Sequence, residues 1–276
     1  MREPIVAGQF YSFEKSQLQK ELENCFEKPG LPGKRKKQAL LGIISPHAGY
    51  LYSGPTAAFA YKEIAESDFP DTFVILGVGH SGQRTCVSEE DWKTPFGIVK
   101  NDSEFSKALG ITIDNDAHMD EHSIEVQLPF LQFANKDKLK SIKIVPIIVN
   151  DTECVAEKII RTAKKQKKKI IVIASSDFTH YGPNYGYLPF VSNVRDNLYK
   201  LDKGAIEKIL KLDIEGFKKY VEKTEATICG FKPIIALIEY LKLSGAKNAK
   251  LLNYTTSGDV AGDFTNAVGY AAIAFY

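Results

Sequence analysis

Four of the five histidines in this chain stand in or beside segments rich in glycine and aspartate, and three of those segments directly follow a run that reads as a β-strand. The first is Pro46-His47-Ala48-Gly49-Tyr50, after the run from Leu40 to Ser45. The second is Gly77-Val78-Gly79-His80-Ser81-Gly82, at the end of the next run. The third is Ser175-Ser176-Asp177-Phe178-Thr179-His180-Tyr181-Gly182, after Lys169 to Ser175. Ligand sites in open α/β sheets form outside the carboxyl ends of the strands, so residues far apart in sequence can converge there. Imidazoles at two or more such loops, joined by a carboxylate such as Asp177, are the donor set of a non-haem iron, copper or zinc site. One loop histidine more often serves only to hydrogen-bond a buried turn; three at equivalent strand ends favour a metal.

Cys229 is a further element, in Thr227-Ile228-Cys229-Gly230 ahead of a helix expected to start at Pro233. A thiol near a helix N-terminus is expected to have a lowered pKa, since the macrodipole and free amides favour thiolate, which is both ligand and nucleophile. Taken alone, a small buried cysteine is the more common reading. Asp120-Glu121-His122-Ser123-Ile124-Glu125 opens an expected helix, with Asp120 as a possible cap and Glu121 and Glu125 one turn apart on one face. Glu121 and His122 could stand behind the metal-facing imidazoles and orient them, or could belong to an ordinary solvated first turn. His118 reads as a loop residue. Gly77-x-Gly79-x-x-Gly82 formally matches a dinucleotide fingerprint, but no amphipathic helix follows it, so a nucleotide is not expected. Ser175-Ser176-Asp177 lacks the Gly-x-Ser-x-Gly elbow of a serine nucleophile.

These loops need a scaffold, and the sequence alternates short β-branched runs with longer stretches of helical period. Strands are expected at Leu40 to Ser45, Phe73 to Val78, Ser141 to Val149, Lys169 to Ser175, Leu251 to Tyr254 and Ala267 to Phe275. Helices are expected at Glu14 to Glu27, Thr56 to Ala65, Ser103 to Ala108, His122 to Ala134, Glu153 to Lys165, Val191 to Leu210, Ile214 to Val221 and Pro233 to Leu243. The architecture is three-layer α/β/α with a mixed central sheet. No repeat or linker divides the chain, so residues 1–276 are expected to form a single domain.

With 36 basic and 34 acidic residues the formal charge is +2, which provides no field for gathering nucleic acid or an anionic membrane. The basic runs Lys34–Lys37 and Lys164–Lys169 read as solvated loop or helix ends. Cys25, Cys86, Cys154 and Cys229 form no Cys-x-x-Cys pair, so a reducing compartment is expected. No secretory leader and no apolar run of about 20 residues is present, which points to the cytoplasm.

Taken in order, the segments add up to a family. Ala7-Gly8-Gln9-Phe10-Tyr11, Pro46-His47-Ala48-Gly49-Tyr50, Asp120-Glu121-His122-Ser123-Ile124-Glu125, Ser175-Ser176-Asp177-Phe178-x-His180, Thr227-Ile228-Cys229-Gly230 and the terminal Tyr270-Ala271-Ala272 together make the chain resemble the Memo family, which is similar to the class III extradiol dioxygenases. The resemblance implies that fold, with His47, His80 and Cys229 as the metal-facing trio and Asp177 and His180 bordering the same pocket. It implies Fe(II) or Cu(I) as the metal. Relatives often carry Pro-Ser where this chain has Val78-Gly79 and Arg-His where it has Phe231-Lys232; the first changes loop stiffness, the second removes a polar group from the pocket rim. Mammalian relatives are associated with phosphotyrosine-bearing receptor tails, and no residue here carries that over.

The expectation is a metal-dependent redox protein in which His180, held by Asp177, acts as acid or base. The competing expectation is a binding module that uses the same pocket to grip a peptide or small ligand without turnover. On either, His47, His80, His180 and Cys229 should lie within roughly 10 Å of one another. A cysteine where the dioxygenases have a carboxylate should shift the site toward softer Cu(I) and make it poor at ring cleavage. Substrate and oligomeric state leave no mark in the sequence.

Overall fold

The structure, a computed structural model, describes residues 1–276. Its ten strands are β1 (Gly42–Ser45), β2 (Thr72–Gly77), β3 (Cys86–Val87), β4 (Trp92–Thr94), β5 (Gly97–Asn101), β6 (Lys143–Ile148), β7 (Ile170–Ser175), β8 (His180–Tyr181), β9 (Ala249–Thr256) and β10 (Ala267–Phe275). The helices are α1 (Lys15–Cys25), α2 (Tyr50–Glu66), α3 (Ser103–Ala108), α4 (Gln127–Ala134), α5 (Val155–Gln166), α6 (Val194–Leu210), α7 (Ile214–Thr224), α8 (Phe231–Ser244) and α9 (Ser257–Ala261).

The strands join in one mixed sheet of order β4-β5-β6-β2-β7-β1-β10-β8, with β3 against β6 and β9 against β10. Its centre, β6-β2-β7-β1, is parallel, and β10 runs antiparallel to β1. Every residue of β1, β2, β7 and β10 is buried. Such continuous apolar runs are what strands covered on both faces require. Side chains alternate between the layers: Ile43, Phe73, Ile75, Ile171 and Ile173 pack with α1, α2 and α4, whereas Ile44, Val74, Leu76, Val172 and Ala174 pack with α3 and α5 to α8. The two clusters hold 34 buried residues each, so neither face is left to solvent. Each such aliphatic side chain contributes about 1.5–3 kcal/mol on burial.

The expected three-layer mixed architecture is therefore the observed one. Four short strands, β3, β4, β5 and β8, and the helix α9 have no counterpart among the expected elements, because two to five residues are too few to show a period. Two helix starts lie five or more residues from where they are expected. The α2 helix begins at Tyr50 rather than Thr56, with Pro55 inside it rather than ahead of it. The α4 helix begins at Gln127 rather than His122, and residues 123–126 are turns. After β2 the chain makes a turn at 79–82 and enters β3, with no helix to cradle a pyrophosphate. Arg35 pairs with Asp137, Lys36 pairs with Glu66, and Lys164 and Lys165 close the last turn of α5, where positive charge complements the helix dipole. No helix is long and apolar enough to cross a membrane.

Candidate metal centre

The carboxyl ends of β1, β2 and β7 open into a cleft of about 510 Å³. His47, His80, His122, Asp177 and His180 face it, together with Phe10, Tyr52, Tyr185 and Tyr270; no lysine or arginine lines it. The rings of His47, His80 and His122 lie with centroids 5.4, 5.6 and 4.6 Å apart, the last pair stacked at 16°. One donor atom from each lies within 4.8 Å of the other two, and a second group of the same kind joins His47 to Asp177 and Cys229. His47 is common to both. Cys229 Sγ is 3.3 Å from His47 Nε2. The expected trio of His47, His80 and Cys229 is thus spread over two overlapping groups, and His122 joins His47 and His80 directly.

Close approach at the strand ends depends on missing side chains. A Cβ on Gly77, the last residue of β2, would meet Ile124 Cγ1 at 2.4 Å and Ser123 Oγ at 2.8 Å, so the turn carrying Glu121 and His122 can only lie here against glycine. A Cβ on Gly230 would meet Ser176 at 2.2 Å. That glycine lets the start of α8 dock on the 175–177 segment and brings Cys229 to His47.

Three imidazoles are fixed in the same sense. His180 Nδ1 faces two carbonyls, Phe178 O at 3.0 Å and Thr227 O at 3.1 Å, so it must carry the proton. His80 Nδ1 sits 3.0 Å from both oxygens of Glu121 and donates to that carboxylate. His47 Nδ1 is 2.9 Å from Ser175 Oγ, which donates to Ser123 O at 2.7 Å and accepts from Gln127 Nε2 at 2.8 Å. The assignment that satisfies all four groups protonates His47 at Nδ1. In each ring Nε2 is left without a hydrogen, the tautomer in which metal-bound histidines are usually found, and in His47 that nitrogen meets Cys229 Sγ.

Burial disfavours charge on two of the rings, His47 and His122. Burial, with the neighbouring His122 and His80 adding to it, holds the His47 imidazole well below its usual value. Burial likewise lowers His122, although Glu121 opposes the shift. For Glu121 burial works upward, but the hydrogen bond and charge of His80 and the N–H groups of Ser123 and His80 outweigh it and hold the carboxyl down at about 2. Asp177 is raised by burial, against the pull of His180 and of two backbone N–H groups.

Several expectations need correction. Asp177 does not hold His180: its Oδ1 accepts from the N–H of His47 at 2.8 Å and of Ala48 at 3.3 Å, and carbonyls hold the His180 ring instead. Cys229 does not have a lowered pKa; burial, and then the Asp177 carboxylate, push the thiol well above its usual value, outweighing the start of α8. Of the two readings of Glu121, the solvated first turn falls and the one in which it orients an imidazole has the geometry. Glu121 and Glu125 are both buried in the turns ahead of α4, the former turned to His80 and the latter to Arg2. His118, expected in a loop, ends the single helical turn at 116–118 and is buried, its Nε2 3.7 Å from Cys86 Sγ and its ring edge-on to Trp92.

The Memo-like protein family model matches residues 2–274. The chain belongs to the Memo family. Curated relatives agree along the whole length. A MEMO1 family protein of Methanopyrus kandleri is 42% identical over 99% of this chain and 98% of its own. One of Methanosarcina barkeri is 41% identical over 99% of each, and one of Nitrosopumilus maritimus is 38% identical over 100% and 99%. In this Memo-family chain the residues least visible as site residues were His122 and Glu121. The signal that could have marked them was Gly77: a glycine closing a buried strand implies a second segment packed on the strand end.

Proposed function

We propose that this Memo-family chain binds a redox-active metal, Fe(II) or Cu(I), through Nε2 of His47 and Nε2 of His80, with Cys229 as third ligand and His122 as the rival for that position. The observation that carries this reading is the common tautomer of the imidazoles, each with Nδ1–H committed to a protein acceptor and Nε2 left as the donor atom, that of His47 beside Cys229 Sγ. Nitrogens of His47, His80 and His122 within 4.8 Å of one another fit an ion about 2 Å from each with small side-chain rotations. When bound, the metal supplies Lewis-acid and one-electron chemistry to a ligand in the cleft.

The protein's own groups would do the rest. The ring of His180, its Nδ1–H held by Phe178 O and Thr227 O, presents Nε2 as the atom that can take a proton from a ligand and return it. Phe10, Tyr52, Tyr185 and Tyr270 offer flat apolar walls, the tyrosines with hydroxyls, and the lack of lysine and arginine disfavours phosphorylated ligands. A cysteine ligand would draw the preference toward Cu(I) and away from rapid ring cleavage.

Anaerobic titration tests the reading. Wild-type protein should take up Fe(II) or Cu(I) saturably, and His47→Ala/His80→Ala should not; no saturable uptake, or equal uptake by that variant, would sink it. The third ligand is settled by Cys229→Ser against His122→Ala. If Cys229 is the ligand, its serine variant loses most Cu(I) affinity and Cys229→Glu moves the preference toward Fe(II). If His122 is the ligand, only its alanine variant weakens binding.

A further inference from the structure

We propose that Arg2 is a positioning residue for this centre, holding the Glu121–His122 turn so that Glu121 fixes the ring of His80. The inference rests on the reading of His80 as a ligand and names a part of the protein outside the cleft. Arg2 is 1% exposed and lies against the carbonyls of His118 and Glu121 and the carboxylate of Glu125. Its Nε donates to His118 O at 2.7 Å, its Nη2 to Glu121 O at 2.7 Å and its Nη1 to Glu125 Oε2 at 2.6 Å. The guanidinium also stacks on Trp92, 4.1 Å from the ring centroid.

The three bonds run to three points of one irregular stretch, residues 118–125. That stretch is neither helix nor strand beyond the single turn at 116–118, and while the carbonyls of His122, Ile124 and Glu125 accept from Val126, Gln127 and Leu128 N–H, the Glu121 carbonyl has no backbone donor and is met by Arg2. A planar fork with donors in fixed directions can fasten it at several points at once; a lysine ammonium could pair with Glu125 but could not span the same set. From Glu121 O the constraint passes through one residue to its carboxylate, which accepts from the His80 backbone N–H at 3.0 Å and from His80 Nδ1. The neighbouring His122 is fixed by the same turn.

The remainder of the N-terminal segment reinforces the clamp. Glu125, 0% exposed, accepts from Ile5 N at 3.0 Å, Val6 N at 3.0 Å and Tyr11 Oη at 2.7 Å. Phe10 O accepts from the N–H of Tyr50 at the start of α2, and the Phe10 ring meets His122 edge-on at 4.9 Å. A buried ion pair placed only for stability would need none of these bonds to the cleft-bearing turn.

The test uses the full chain with Arg2→Lys, which keeps the charge beside Glu125, and Arg2→Met/Glu125→Gln, which removes both charges together and so leaves no buried ion unpaired. Two measurements are made: the ring nitrogen resonances of His80 and His180 in metal-free protein, and Fe(II) and Cu(I) uptake under anaerobic conditions. The expected result is a changed His80 ring signal with loss of its Nδ1–H bond, an unchanged His180 signal, and metal affinity weaker by about 10- to 100-fold. A folded variant of either kind with wild-type His80 resonances overturns the proposal. Equal change at His80 and His180 also overturns it, since that is general loosening. If wild-type protein takes up no metal, the functional reading falls by itself and the His80 resonances alone decide the role of Arg2.

Discussion

Segments 175–180 and 118–126 deliver groups to the same cleft, but they are held by different means. The first continues directly from β7 and stays tied to the sheet: Ser176 N–H donates to Ser45 O, Phe178 N–H to Gly269 O, and Gly269 N–H to Thr179 O. His180 lies on β8, paired with Val268. The second follows no sheet strand, and its place is set by the side chains of Arg2 and Glu125 on one side and, on the other, by the Ser123 hydroxyl on Val78 N–H and the bare Cα of Gly77. Backbone ladders tolerate the loss of one side chain; a turn fastened by buried charges does not.

The contrast can be broken most sharply at Glu121. Glu121→Ala removes the acceptor of His80 Nδ1–H and is expected to weaken metal binding by about 10- to 100-fold in anaerobic titration. At His180 the acceptors are carbonyls that no substitution deletes. Wild-type affinity for Glu121→Ala would mean that the turn does not set the geometry of His80.

A smaller effect is expected at Ser175, where the sheet meets the turn. Ser175→Ala leaves His47 Nδ1, Gln127 Nε2 and Ser123 O short of a partner in a buried place. The expected cost is about 1–3 kcal/mol, read as a lowered midpoint in urea at unchanged slope.

Asp202 sharpens the same comparison from beneath the His180 segment. It is fully buried, accepts from Thr179 Oγ1 at 2.5 Å and Tyr254 Oη at 2.6 Å, and burial pushes it up from 3.8 to about 6 despite those bonds. Between those values the folded state binds more protons than the unfolded, so stability falls as pH rises from about 4 to 6 and the loss persists above. Asp202→Asn should flatten that slope by on the order of 1 kcal/mol per pKa unit, measured as the difference from wild type in denaturant midpoints across the window. Equal slopes would show that the carboxyl titrates alike in both states.

The least effect belongs to Thr227→Val. Its hydroxyl accepts from His180 N–H at 2.9 Å and donates to His180 O at 2.7 Å, but it does not touch the ring. About 1 kcal/mol of stability should go, with metal affinity unchanged.

The same division explains what could be seen in the sequence. His47, His80 and His180 were visible because each follows a β-branched run, and a strand end is a place the pattern predicts. Glu121 and His122 were misplaced because Ile124, Leu128 and Leu131 continue a helical period upstream of the true start at Gln127. Tertiary contacts hold those turns, from Arg2 more than a hundred residues away and from Val78, His80 and Gly77 at the end of β2. Cys229 was misjudged for a different reason: position before α8 was legible, but the extent of its burial beside Asp177 was not, and burial dominates the thiol.

Sequence separation has a consequence for the order of events during synthesis. Cys229 meets His47 across 182 positions, and Arg2 meets Glu125 across 123. Contacts that distant close late, because the entropy of the intervening chain must be lost before they return anything. A chain emerging from the ribosome would hold His47, His80 and His122 long before Cys229 follows, and could offer a metal only imidazoles. If the finished centre includes the thiol, loading belongs after release, and a tightly held ion would stabilise the finished protein by mass action, about 2.7 kcal/mol at a hundredfold excess over its Kd, without having guided the earlier steps.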